Sequence, residues 1–223
     1  MVAAARVCCT WAPAGAVALV LLAAPGRLDD VTFRQEVPAP PVVEQPSAAP
    51  DEASIMASRL AGELARRMPR LDAEEAEQIS STILHESEQA RLDPVLVFAM
   101  IEVESRWDPD AVSERGARGL MQLRRLALES EAQAAGFSAD DPHDPVVNVR
   151  AGIRYYRRMV RAFRDADLAL VAYNVGPTRL SSYLNAVGEV PDELWGYARR
   201  VRREEQRLRR ALDLPARELL ARR

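Results

Sequence analysis

Apolar residues recur along this chain at helical intervals. From Asp51 to Met68 they fall at Ile55, Leu60, Leu64 and Met68, the spacing of one buried face of an amphipathic helix. Asp72 followed by Glu75 has the form of a capping box and predicts a second helix running to about Arg91. Asp93 and Pro94, a carboxylate cap and a proline at the first helical position, begin a third. Its Leu96, Val97, Met100, Ile101 and Val103 make it apolar on nearly every side, which predicts a buried helix. Further helices are predicted over Leu123–Ala135, ending at Gly136, and Val146–Phe163, with an Asp- and Pro-rich loop between them. Asp165 or Asp167 caps another that ends at Gly176-Pro177, and two short helices fill Thr178–Val187 and Pro191–Val201. No stretch alternates convincingly, so the fold class is all-α.

The third helix carries the candidate chemistry. Glu102 and Glu104 lie near its end, where burial and the negative end of the helix dipole both disfavour a charged carboxylate. Together these effects hold a carboxyl group protonated nearer neutral pH, which suits a general acid. Helical spacing sets Glu102 against Phe98 and Ala99, and Glu104 against Met100 and Ile101. Periodicity does not choose between them, and two solvated residues at a fraying helix end remain the alternative.

Composition adds boundaries. The chain has 223 residues, 48% of them hydrophobic, enough for one core and a short appendage. Thirty basic and 33 acidic residues leave a net charge of −3, which gives no nucleic-acid signature. Every basic residue apart from histidine is arginine, which reads as genome composition rather than chemistry. Arg6, an apolar run from Val17 to Ala24 and the small pair Ala23-Ala24 resemble a secretory leader over 1–24, with a retained membrane anchor as the alternative. Cys8 and Cys9 are the only cysteines and lie inside it, so cleavage leaves no disulfide. Residues 25–50 are rich in Pro, Ala, Val and Glu and read as an extended linker. An N-terminal helix over 51–75, a catalytic domain over 76–202 and an arginine-rich helical tail over 203–223 complete the expected division. The tail is expected to be a solvated helical face, with Glu205 and Arg209 at pairing distance.

Several blocks in order then carry a resemblance. Glu104-Ser105, Asp108-Pro109, Ser113, Gly116-Ala117 and Gly119-Leu120-Met121-Gln122 are similar to the signature of the soluble lytic transglycosylases. Asp144-Pro145, Asn148 and Gly152 to Tyr155 resemble a second block of that family. Ala172-Tyr173-Asn174-Val175-Gly176-Pro177 resembles a third, with Val175 in place of alanine. Pro191, Glu193 and Tyr197 resemble a weaker closing segment. The match spans roughly residues 80 to 202.

The resemblance implies a lysozyme-like helical domain that cleaves the β-1,4 bond between N-acetylmuramic acid and N-acetylglucosamine in bacterial peptidoglycan. It places the general acid and base on Glu104 and lines the saccharide groove with Ser113, Gln122, Tyr173 and Asn174. It implies substrate assistance by the acetamido group and a 1,6-anhydromuramic acid product, an exception to the usual pair of carboxyl groups. Glycan strands are the implied partner and the periplasm or envelope the implied location, with membrane association through the N-terminal segment. No cofactor or metal is expected: His85 and His143 are isolated. Hydrogen bonding suits Ser113 and Gln122 to acetamido groups, and positive φ suits Gly116 and Gly119 to close approach by a sugar. Tyr173 offers a flat face and a polar tip, or alternatively a core aromatic with its hydroxyl satisfied.

The chain departs from the pattern where Leu123-Arg124-Arg125-Leu126-Ala127 replaces the usual x-M-P-x-T segment, so Arg124 replaces a groove methionine. Leu194 likewise replaces a threonine after Glu193. These departures leave room for a water-using hydrolase of the same fold, or for a wall-binding module that has lost turnover.

Overall fold

Cap chemistry decides where the helices begin. The computed structural model describes residues 52–214, so the expected leader and linker lie outside the described residues. The first helix, α1, spans Glu52–Arg67. Asp72 then accepts the Glu75 N–H at 2.8 Å while the Glu75 carboxylate accepts the Asp72 N–H at 3.1 Å, and α2 (Ala73–Ala90) starts there. Asp93 accepts the Val95 N–H at 2.9 Å ahead of α3 (Pro94–Ser105). Asp165, rather than Asp167, caps α6 (Ala166–Val175), accepting from Asp167 and Leu168 N–H at 2.8 and 2.7 Å.

Between α3 and α6 the chain makes a small hairpin and two helices. β1 (Ala117–Arg118) and β2 (Leu123–Arg124) pair antiparallel, with Ala117 opposite Arg124 and Arg118 opposite Leu123. This hairpin is absent from the sequence-based expectation, because two-residue strands are too short to alternate detectably. It also moves the start of α4 (Arg125–Ala135) two residues past the expected one. α5 runs from Pro145 to Phe163, capped by Asp144. α7 (Pro177–Val187), a 3₁₀ turn (Asp192–Trp195) and α8 (Gly196–Ala211) close the domain.

α3 is the buried axis: every residue from Val95 to Ile101 is buried. At about 1.5–3 kcal/mol for each large apolar side chain removed from water, this one helix supplies a large share of the core. α8 lies along it, α2 packs on α5, and α5 packs on α6. Asp93 at the start of α3 is ion-paired to Arg209 near the end of α8, so the two helices run antiparallel.

Two expected boundaries read differently in three dimensions. α1 is part of the core, with Leu60 and Leu64 fully buried. α8 crosses residue 202 without a break, and Glu205, Leu208, Arg209 and Leu212 are buried, so the first part of the expected tail is packed rather than solvated. The apolar position at Leu208 and the Glu205–Arg209 pair at 3.5 Å explain why. Among the described residues no helix is long and apolar enough to cross a membrane.

Candidate active site

The end of α3 is shaped by two consecutive left-handed residues, Arg106 (φ 54°) and Trp107 (φ 67°). Neither is glycine, so each costs local conformational energy that the surroundings must offset. Trp107 is buried against Phe98, with ring centroids 4.9 Å apart, and that contact holds the turn. The helix therefore stops at a fixed point and presents its last residues in a fixed direction.

Glu102 and Glu104 are two positions apart, about 200° around a helix, so they face opposite ways. Glu102 turns towards α1 and is ion-paired with Arg67. Glu104 turns into a cleft of about 560 Å³. Ser113, Gln122, Tyr173 and Asn174 line the same cleft, so all five sequence-identified residues meet there. A hollow of similar size on the other side of the hairpin contains none of them, and its Glu129 is exposed and paired with Arg125.

Burial pushes the Glu104 carboxyl up to about 7, outweighing the Tyr197 hydroxyl that donates towards it and the nearby positive charge of Arg200. Tyr197 is buried, and its hydroxyl makes no hydrogen bond of ordinary geometry with any described residue. Its ring stacks on Tyr173 at 6.3 Å and 11°. Burial beside the Glu104 carboxyl raises both tyrosines well above the usual phenol range, so both remain protonated donors.

The hairpin wall is pinned by one buried amide. The Asn148 side chain accepts from Met121 N–H at 2.8 Å and donates to the Arg118 and Pro142 carbonyls, each at 2.9 Å. Gly119 (φ +77°) sits directly over it: an added Cβ would lie 2.3 Å from Asn148 Nδ2 and 2.8 Å from the Pro142 carbonyl. Gly119 thus serves close approach within the protein, not the approach of a sugar expected from the sequence. Gly152 serves packing in the same way, since a Cβ there would meet Met121 Sδ at 2.3 Å.

Each of these side chains is placed differently in the cleft. The Tyr173 hydroxyl donates to the Met121 carbonyl at 2.7 Å and the side chain is buried, so it is the satisfied core aromatic of the two alternatives, touching the cleft along one edge. The Gln122 amide nitrogen donates to the Ala111 and Gly119 carbonyls at 2.9 and 3.0 Å, which leaves its carbonyl oxygen for a ligand. Ser113 Oγ accepts from Ala117 N–H at 3.0 Å and keeps its own proton to donate. Asn174 is exposed on the rim. Sequence reasoning assigned no role to Tyr197, Tyr155 or Glu114, although Tyr197 stands in the weakest matching block. Arg124 lines the cleft, whereas Glu193 is exposed and does not. Among the described residues no cluster of three or more His, Cys, Asp or Glu is placed to hold a metal ion.

Comparison with known proteins bears on the family and the fold. Residues 81–195 match the family described as the transglycosylase SLT domain, just over half of the chain. A membrane-bound lytic murein transglycosylase F of Yersinia enterocolitica is 35% identical over 100 residues, covering 42% of this chain and 19% of that protein. A transglycosylase of Enterobacteria phage PRD1 is 35% identical over 95 residues, 43% of this chain and 34% of that protein. The chain therefore spans only about a fifth to a third of the length of these relatives. The crystal structure of an inactive mutant of lytic transglycosylase Slt from Pseudomonas aeruginosa superposes with a TM-score of 0.55 at 24% identity, covering 74% of this chain and 31% of that one. This last likeness bears on the fold alone.

Proposed function

Because the chain belongs to the transglycosylase SLT domain family, we propose that it is a lytic transglycosylase acting on peptidoglycan in the cell envelope. The observation that carries the reading is Glu104 lining one cleft with Ser113, Gln122, Tyr173 and Asn174, where burial raises its carboxyl to about 7. A group of that pKa is substantially protonated near neutral pH and equally able to take the proton back.

The reaction needs both abilities. Protonated Glu104 gives its proton to the bridging oxygen as the bond to the muramic acid C1 breaks. The acetamido oxygen of the same sugar covers C1 from the opposite face, so no second carboxylate is required. Glu104, now ionised, accepts the proton of the C6 hydroxyl as that oxygen bonds to C1 and expels the acetamido group. The products are an N-acetylglucosamine end and a 1,6-anhydromuramic acid end, and water is neither consumed nor released. Tyr197 supports the ionised form of Glu104 between the steps by donating towards it. Gln122 offers a carbonyl oxygen and Ser113 a hydroxyl proton, a complementary pair for an acetamido group.

A hydrolytic variant of the same chemistry draws on Glu114, the second carboxylate on the cleft wall. Digestion of purified sacculi followed by mass analysis separates the two. Transglycosylation yields fragments one water lighter than hydrolysis does, with Glu104→Gln inactive and Glu114→Gln active. Hydrated ends, or a Glu104→Gln protein as active as the parent, would overturn the assignment.

A further inference from the structure

α8 divides its charges between an inner and an outer face. The exposed positions along it are Arg199, Arg200, Arg203, Arg207 and Arg210, with Gln206 and Ala211, none of them acidic and none large and apolar. Its two glutamates lie inward: Glu205 is buried, and Glu204 is held by Arg207 at 2.6 and 2.7 Å and by Arg67 at 3.5 Å. The inner arginines are matched as well, Arg202 by Asp167 and Glu205, and Arg209 by Asp93 and Glu205. Arg200, Arg203 and Arg210 make no ion pair with any described residue. With Arg207 they follow at intervals of three and four, a common outer face about 15 Å long at the helical rise.

The contrast extends to the chain as a whole. Residues 199–223 hold ten arginines against four acidic residues, +6 in a chain whose total is −3, so the remainder carries −9. Such an asymmetry turns one side of the molecule towards an anionic surface even though the net charge is negative. α1 flanks that side: its Arg67 shares Glu204 with Arg207, and its Arg59 donates to the Leu212 and Asp213 carbonyls just past the end of α8.

We propose that the outer face of α8 is a docking surface for a membrane that bears anionic phospholipid headgroups. The proposal goes beyond the transglycosylase reading and does not depend on it. Specific protein interfaces are anchored by aromatic or aliphatic side chains at their centre, and this face offers none. A headgroup surface needs no such anchor, because basic side chains are attracted to it by charge spread over an area. Arginine suits it, since a guanidinium bonds phosphate oxygens through two parallel N–H groups. Four guanidiniums along one side of a helix meet several headgroups at once, whereas a free phosphate ion would engage only one or two of them.

The test is co-sedimentation of the full chain with vesicles of phosphatidylcholine alone and of phosphatidylcholine with phosphatidylglycerol. Neutral vesicles report whatever the apolar run Val17–Ala24 contributes, and the excess on anionic vesicles reads the face. That excess should shrink as salt is raised. Each basic side chain at such a surface is worth about a fivefold change in affinity, so Arg203→Gln, Arg207→Gln and Arg210→Gln together should weaken it about 100-fold. A control that removes three exposed arginines from other helices or their ends, Arg161→Gln, Arg164→Gln and Arg179→Gln, should bind nearly as the parent does. A second readout needs no variant: phenylglyoxal modification, mapped by mass, should be blocked on anionic vesicles at Arg203, Arg207 and Arg210 and unchanged at Arg161, Arg164 and Arg179. No excess binding by the parent, equal losses in the two variants, or protection spread evenly over the six arginines overturns the proposal. So does a triple α8 variant that keeps its vesicle binding and loses only its sedimentation with sacculi, which would assign the face to wall polymer.

Discussion

Arg67 on α1 is ion-paired with Glu102, the residue two places before the Glu104 carboxyl on α3. The same guanidinium donates to Glu63 at 2.7 Å, reaches Glu204 on α8 at 3.5 Å and sits over the Trp107 ring at 5.9 Å. One side chain thus joins α1, the end of α3 and α8, and lies outside the segment that matches the family. Its side chain is 14% exposed, so the charges it holds are only partly hydrated.

Arg67→Ala is expected to lower unfolding stability by about 2 kcal/mol, since it leaves Glu63 buried with one fewer cation and frees Glu102. Urea denaturation checks the loss. Activity should fall further than the unfolded fraction explains, because the turn at Arg106-Trp107 loses its support. A variant with normal stability and normal turnover would show that α1 does not help position the site.

Glu104→Gln should reduce turnover by about 10²–10⁴-fold while keeping the fold. Its stability changes with pH in a definite sense. The folded Glu104 pKa, about 7, lies above its ordinary value of 4.5, so the folded state binds more protons than the unfolded state between those values. Below pH 4.5 both states hold the proton and Glu104 costs nothing. Between pH 4.5 and 7 the unfolded state gives up the proton that the folded state keeps. Stability therefore falls by about 3 kcal/mol over that range and stays lower above it. Glu104→Gln should therefore be more stable than the parent at pH 8 and equal to it near pH 4, as thermal melts at the two pH values would record. The parent's kcat/KM should also fall as pH rises through about 7, where the acid is lost.

Tyr197→Phe separates the tuning of the acid from its presence. The Tyr197 hydroxyl favours the ionised carboxylate, so removing it should raise the Glu104 pKa further. The descending limb of the pH–rate profile should move to higher pH, with a lower plateau because the ionised intermediate loses a donor. Melting temperature should change little, since that hydroxyl makes no hydrogen bond of ordinary geometry with any described residue. An unmoved limb would mean that Tyr197 does not act on Glu104.

Two helix starts were legible because each is local chemistry: Asp72 with Glu75 and Asp93 with Pro94 act within three residues. The meeting of Glu104, Ser113, Gln122, Tyr173 and Asn174 was legible only through the order of the matching blocks. Periodicity could not choose between Glu102 and Glu104, because what separates them is a partner 35 residues away. Tyr197 went unassigned for the same reason: its ring belongs to α8 and its hydroxyl acts on α3. The bond from the Tyr173 hydroxyl to the Met121 carbonyl was not legible, since nothing in the sequence foretells a partner on the backbone of the hairpin.

Asn148 offers the sharpest check on how the cleft wall is held. Its amide is completely used, accepting once from Met121 and donating to Arg118 and Pro142, and it is fully buried. Asn148→Asp keeps the shape and the acceptor but turns the donor face into an oxygen aimed at two carbonyls. Either that oxygen is ionised in a buried place, or its single proton leaves one carbonyl unpaired; each outcome costs about 2–3 kcal/mol. Asn148→Ala removes the same bonds and leaves a void, at a similar cost without the repulsion. The substitution to Asp should therefore worsen as pH rises from 5 to 8, whereas the one to Ala should not. Hydrogen exchange at the Met121 amide should speed up in both, and Glu104-dependent turnover should fall with it because Gln122 and Ser113 ride on that wall. Equal, pH-independent effects of the two variants would show that Asn148 fills space and does not bond the loop.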